Sequence, residues 1–394
     1  MKNLGIYIHI PYCLNKCPYC DFYSVTDQST AEDYVDALLL HMAEYSESAS
    51  GYDVDTVFIG GGTPTSLPVG LICDIIDGIY DNFNVTEDAE VTIAMNPATA
   101  KYADLKRLKR CGVNRLSIGL QSADDEELKR LGRIHTYDEF VESYDLARKA
   151  GFENINIDVM YATPGQTKAS LSETLNKVIA LNPEHISLYG LKIEDGTPFA
   201  GQKDELVLPD EDTEVYMYFS SIEKLKNAGY YQYEISNFSK KDKKCLHNLK
   251  YWHGEEYLGF GAGAHSYFRD HRYAFKKDIA AYINALRYPS RIPDIVSEDY
   301  QIKPSERLGE YVMLNLRLTD GIDTDAFAEI FGLSFERMFG KYLTKYIEGG
   351  FMEKDGRFYR FTTKGMFVSN YILSAMLEFN SELISGVVDG SDRA

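Results

Sequence analysis

Cys13, Cys17 and Cys20 stand within eight residues, in the run Tyr12-Cys13-Leu14-Asn15-Lys16-Cys17-Pro18-Tyr19-Cys20. Thiolates at C-x3-C-x2-C spacing can hold an iron–sulfur cluster, but three supply one ligand too few for four irons. The iron without a protein ligand is then free to bind another molecule, which turns an electron store into a reaction centre. The competing reading is a zinc knot or a set of inert thiols. Zinc asks for four ligands in a closed structural site. His9 is the nearby fourth candidate, but it lies in a strand that points it elsewhere. Cys73 and Cys111 fall in helical patterns and read as small buried hydrophobes.

The elements that carry this loop follow from hydrophobic periodicity. Residues 4–10 read as a short strand that delivers the cysteines. Strand-like runs recur at 56–59, 91–93, 115–118, 155–160 and 185–189, with helical patterns near 30–47, 69–82, 101–111, 124–150 and 168–181. Alternation of this kind predicts an α/β fold with a parallel sheet and right-handed crossovers. Six such units make a partial (β/α)6 TIM-like barrel, whose chemistry belongs at the C-terminal ends of the strands. Past residue 205 the alternation stops. Residues 211–228 look helical, 230–275 look irregular, and 277–287 and 304–318 look helical again. Near the C-terminus, Asp355-Gly356 between alternating apolar and charged residues is a hairpin signal. Three segments are expected: a barrel over 1–205, a connecting segment over 206–290, and a smaller, mostly helical, winged-helix-like domain over 291–394.

Composition excludes several classes. The 394-residue chain carries a net charge of −19, against phosphate-driven nucleic-acid binding and against docking on anionic lipid. Residues 291–394 hold 12 basic and 17 acidic side chains, so a winged helix there is expected to pack or bind a partner rather than DNA. No leader or membrane-spanning stretch is legible, and a cytoplasmic location is expected.

The segment Tyr7-Ile-His-Ile-Pro-Tyr-Cys-x3-Cys-x-Tyr-Cys-Asp-Phe resembles the radical S-adenosylmethionine superfamily. Within it, the resemblance is to the branch of oxygen-independent coproporphyrinogen III oxidase and the HemW-type haem chaperones. It extends through Gly261-Ala-Gly-Ala-His-Ser-Tyr267 and, more weakly, to the C-terminus. It implies a [4Fe-4S] cluster on Cys13, Cys17 and Cys20, with S-adenosylmethionine chelating the fourth iron and releasing a 5′-deoxyadenosyl radical on one-electron reduction. It also implies roles for strand-end residues. Gly61, Gly62 and Thr63, in Gly60-Gly-Gly-Thr-Pro64, match the segment that holds the methionine amino group. Gln121 and Asp158 match positions near the ribose, and Arg133 a partner for the ligand's carboxylate, work suited to a guanidinium fork. Tyr7, Tyr19 and Gly190 complete the implied cofactor contacts, Tyr19 presenting backbone to the adenine.

Two departures bear on function. Where the family commonly has Glu in a Glu-Ala-Asn-Pro run, this chain has Ala94-Met95-Asn96-Pro97, which removes a charge-assisted bond of about 1.5–3 kcal/mol. Where the oxidase carries a further cysteine, this chain has Phe22. It does carry His247-Asn248-Leu249-Lys250-Tyr251-Trp252, the H-N-x-x-Y-W pattern of the haem chaperones. Read from the residues alone, His247 is a helix-cap or packing residue. With the resemblance, it is expected to ligate haem iron, with Tyr251 and Trp252 offering flat faces to the porphyrin and Cys245 an alternative ligand. His253 and His265 are expected to be structural. The first expectation is therefore a haem chaperone, with haem and an acceptor haemoprotein as partners and a homodimer left open. The alternative is oxidative decarboxylation of coproporphyrinogen III. Whether the chain is an enzyme stays open.

Overall fold

The computed structural model describes residues 2–377. Strands and helices alternate from the start: β1 (Lys2–Ile10), α1 (Ala31–Ser46), β2 (Tyr52–Gly61), α2 (Val69–Asn82), β3 (Val85–Met95) and α3 (Tyr102–Arg110). The pattern continues through β4 (Arg115–Gln121), α4 (Asp125–Arg130), α5 (Tyr137–Ala150), β5 (Ile155–Tyr161), α6 (Lys168–Leu181) and β6 (His185–Gly190). Strands β1 to β6 pair in parallel and in sequence order. Along each strand one row is aliphatic and packs under the helices, as Ile6, Ile8, Val57, Ile59, Ile93, Leu116 and Ile118 do. Helix α2 shows why burial decides such elements. Its Ile72, Ile75, Ile76 and Ile79 are buried at helical spacing. Each buried isoleucine contributes about 1.5–3 kcal/mol, against a few tenths lost to β-branching in a helix.

The opposite row, facing inward, is largely polar: Thr56, Thr92, Arg115, Ser117, Asn156 and His185 are all buried. A filled barrel interior would carry branched apolar side chains there. This one surrounds a cavity instead.

Sequence reading takes 124–150 as one helix, and the structure breaks it. Helix α4 ends at Arg130, and α5 restarts behind a capping box in which Thr136 receives the Glu139 N–H. The intervening Gly132 has φ +70° and abuts Pro18 of the cysteine loop, leaving no room for a Cβ. Helical periodicity continues across the break, so only the close approach of the two loops reveals it.

The stretch that looks irregular is ordered and belongs to the sheet. After α7 (Pro198–Gly201) and α8 (Glu211–Asn227) come β7 (Tyr231–Gln232), β8 (Asn237–Ser239), α9 (Leu246–His253), β9 (Tyr257–Phe260), β10 (His265–Phe268), β11 (His271–Phe275), α10 (Ile279–Leu286) and β12 (Val296–Gln301). Strand β8 adds antiparallel to β6, and β9 parallel to β1. The result is an open twelve-stranded sheet in the order β12-β11-β10-β9-β1-β2-β3-β4-β5-β6-β8-β7. Residues 206–290, set apart from sequence as a connecting segment, thus extend both edges of the main sheet. The sheet also reaches past residue 290, through β12. These strands are two to six residues long, too short for periodicity to declare them.

The last unit comprises α11 (Pro304–Asn315), β13 (Ile322–Asp323), α12 (Thr324–Phe331), α13 (Lys341–Glu348), β14 (Met352–Asp355), β15 (Phe358–Phe361) and α14 (Thr363–Phe367). Phe327, Phe335, Phe339 and Leu343 give it a core of its own. The expected hairpin is present, with Gly356 at φ +58° in its two-residue turn. Residues 378–394 lie outside the described part. No helix among the described residues is long and apolar enough to cross a membrane.

Cys73 and Cys111 also depart from expectation. They are not separate buried hydrophobes: Cys73 on α2 and Cys111 at the end of α3 are joined as a disulfide, with Cα atoms 5.8 Å apart. Periodicity buries a face of each helix but does not say which faces meet.

Candidate functional site

A cavity of about 730 Å³ runs from the C-terminal ends of the parallel strands down to α9. Cys13, Cys17 and Cys20 line its mouth. Among the described residues no three His, Cys, Asp or Glu side chains converge tightly enough to hold a single metal ion. The cradle is cut to size. A Cβ on Gly62 would stand 2.9 Å from Cys13 Sγ and 2.6 Å from the Tyr12 carbonyl oxygen. Gly61 has φ +106°, a conformation that disfavours other residues. The Thr63 hydroxyl reaches Cys13 Sγ at 3.5 Å, and Arg133 Nη1 reaches Cys17 Sγ at 3.8 Å. Burial pushes the Cys20 thiol pKa up, and a metal bound there would favour its thiolate. His9 is not a fourth ligand: its Nε2 pairs with the Tyr23 carbonyl and its Nδ1 with the Tyr7 hydroxyl.

The residues expected to hold the nucleotide come together on the walls. Arg133 donates from Nη2 to Asn96 Oδ1 at 2.8 Å and to the Gly119 carbonyl at 2.9 Å, while its Nε has no partner. Asn96, which sequence reading passed over, also donates to Thr63 at 2.8 Å and so ties the glycine turn to Arg133. Gln121 has φ +74°, at a register shift between β4 and β5, and accepts from the Tyr189 hydroxyl at 2.8 Å. Non-glycine residues at positive φ are uncommon and cluster at functional sites. Asp158 accepts from Asn156 at 2.7 Å and Ser117 at 3.4 Å, and burial raises its pKa. Tyr19 and Tyr189 border a small apolar cluster with Leu131, Met160 and Phe199, a surface suited to a flat base. Tyr7 and Gly190 line the same cavity. So does Ala94, and the acids that do are Asp21, Asp158 and Glu194.

The H-N-x-x-Y-W segment forms α9, which closes the cavity from below. His247 is 1% exposed, with Nδ1 3.0 Å from the Thr56 hydroxyl and Nε2 2.8 Å from the Tyr251 hydroxyl. Burial lowers its pKa to about 3, so the imidazole is neutral at pH 7. His247, Asn248 and Tyr251 line the cavity. Cys245 and Trp252 do not. Cys245 is fully buried, donates to Glu90 Oε1 at 3.5 Å, and burial pushes its thiol up to about 12. Trp252 faces the C-terminal unit, with the Arg317 guanidinium 4.3 Å from its ring centroid. His253 and His265 are exposed. Glu90, on β3, accepts the Leu246 and His247 N–H groups at 3.1 Å each, and so caps the helix from a distant strand. At the mouth, Phe22 is 62% exposed.

Residues 7–178 match the radical SAM superfamily, and residues 302–368 match the HemN C-terminal domain. The haem chaperone HemW of Bacillus subtilis is 36% identical over 378 residues, covering 94% of this chain and 98% of that protein. The chain belongs to the HemW family. Haem chaperone HemW of Escherichia coli is 33% identical over 96% of this chain and 99% of its own length. Among solved structures, coproporphyrinogen III oxidase (HemN) of Escherichia coli shares the fold, with TM-score 0.84 and 24% identity over 95% of this chain and 90% of that one. Membership of the radical SAM superfamily implies a [4Fe-4S] cluster and S-adenosylmethionine, and the cradle above suits both.

Proposed function

We propose that this HemW-family protein is a haem chaperone, taking haem onto α9 and passing it to an acceptor haemoprotein. One observation carries the reading: His247 and Tyr251 of the H-N-x-x-Y-W helix share a cavity with the three cysteines. Cys13, Cys17 and Cys20 would hold the cluster. Arg133, Gln121 and Asp158 would hold S-adenosylmethionine. When bound at a reduced cluster, that cofactor supplies one-electron cleavage chemistry. The protein's own part is to orient the ligand's carboxylate with Arg133 and to keep water from the apolar side near Tyr19 and Phe199.

His247 is a neutral base with a lone pair suited to iron, but both its nitrogens are engaged inside the protein. Ligation therefore requires the Tyr251 hydroxyl to leave Nε2. That makes the resting state a closed one, suited to a carrier that loads and releases. The buried Cys245 is a poor ligand, since its thiol holds its proton to about pH 12.

His247→Ala is expected to lower haem affinity, followed by the Soret band, without changing the cluster spectrum; equal haem binding would sink this role. The oxidase reading has its own check. Reduced, reconstituted protein given S-adenosylmethionine and coproporphyrinogen III is expected to form no protoporphyrinogen IX, and its formation would overturn the chaperone reading.

A further inference from the structure

We infer that the floor of the cavity is a carboxylate subsite centred on Arg115, and that it takes a carboxylate arm of the tetrapyrrole. The identity of that ligand rests on the haem-chaperone reading; the subsite itself rests on geometry. Arg115 opens β4 beside Thr92 of β3 and is 2% exposed, yet it lines the cavity. Its Nε has no hydrogen-bond partner. Its charge partner Glu90 stands 3.9 Å away and already receives the Leu246 and His247 N–H groups and the Cys245 thiol. A guanidinium carries five N–H donors in a planar fork. The Arg115 Nε is buried without a hydrogen bond, 3.9 Å from the Glu90 carboxylate, and a carboxylate arm in the cavity would match the fork, which can grip it in two places.

The far wall agrees. Asn237, on β8, is buried and lines the same floor. Its Nδ2 donates to Glu234 at 2.6 Å, which fixes the amide's orientation and leaves Oδ1 without a partner. A water hydrating the ligand's arm would meet that acceptor. Other charges near the floor do not replace Arg115. His185 and His247 are held neutral by burial. Asp158 also lines the cavity, and burial raises its pKa. Arg115 and His247 line the same cavity, so the anchor and the proposed iron ligand share one space.

The test uses metal-free protoporphyrin IX and its dimethyl ester, titrated into the full-length protein by fluorescence quenching. Neither probe contains iron, so His247 ligation plays no part. The free acid is expected to bind about tenfold tighter than the ester, the discrimination of one charge-assisted contact. Arg115→Lys, which keeps the charge but not the fork, is expected to shrink that ratio to about threefold or less. Equal binding of acid and ester by the wild type, or no binding of either, overturns the subsite. So does a ratio undiminished in Arg115→Lys, which would assign the preference to Lys16 and Lys192 at the mouth. A parallel haem titration separates the two claims. Acid preference without any haem-specific Soret change counts against the chaperone reading and leaves the carboxylate anchor standing.

Discussion

At the residue scale, the imidazole of His247 is kept ready and kept covered by the same contacts. Thr56 fixes Nδ1 and Tyr251 occupies Nε2. Removing the hydroxyl frees that nitrogen. Tyr251→Phe is expected to lose about 1 kcal/mol of folding stability in denaturant titrations and to bind haem severalfold tighter by Soret titration. A weaker haem complex would show instead that Tyr251 orients the ring for ligation. The sequence reveals His247 and Tyr251 by their spacing, but not that one masks the other. Arg115, Asn96 and Asn237 escaped it altogether. Their signal was faint: polar residues alternating with aliphatic ones in strands whose two faces are both buried.

At the element scale, the site depends on two loops meeting. The break between α4 and α5 lets Arg133 turn towards Cys17, and Gly132 makes the break by closing on Pro18. Its φ of +70° and the 2.5 Å separation of an added Cβ from Pro18 Cδ leave no slack. Gly132→Ala is expected to cost about 1–3 kcal/mol and to lower the iron bound per chain after anaerobic reconstitution. Wild-type iron content at unchanged stability would show that the two loops do not depend on each other. Helix α9 is likewise positioned from outside itself. Eight residues make a marginal helix alone, and Glu90 supplies the acceptor its first N–H groups lack. The helix was legible only as a motif, because its cap lies on β3, some 155 residues earlier.

At the scale of the whole molecule, buried histidines couple folding to pH. Burial lowers His41 and His247 to about 3, and His9 and His135 to about 4, from 6.5. Below pH 6.5 the unfolded chain binds protons that the folded chain refuses, so stability is full above that pH and falls on acidification towards 4. Each such histidine adds up to about 1.4 kcal/mol per pH unit to the slope. Denaturant midpoints are expected to decline steadily from pH 6.5 to 4, and His41→Phe to flatten that decline; an unchanged slope would remove His41 from the account. The C-terminal unit is coupled to the site through Arg317, which packs on Trp252 and pairs with the buried Glu234 at 3.3 Å. Trp252 is the chain's one tryptophan, so its fluorescence reports this junction. A cation–π contact is worth roughly 0.5–2 kcal/mol, too little to hold the domain folded. Arg317→Ala is expected to shift the emission to the red and raise quenching by acrylamide without loss of helix by circular dichroism. An unmoved spectrum would mean that the contact does not shield the indole.

The sequence alone determined the spacing of the cysteine run, the six parallel β/α units and the terminal hairpin, because spacing and periodicity are local quantities written along the chain. Tertiary structure decided how the rest converges. The short strands of residues 231–275 gain their hydrogen bonds only from the sheet edges they extend. The disulfide pairs two helices whose facing sides periodicity does not name. A polar interior becomes a cavity only once the sheet curves around it. The three thiols open onto the same space as His247 because α9, capped by a carboxylate from a distant strand, closes that space from below.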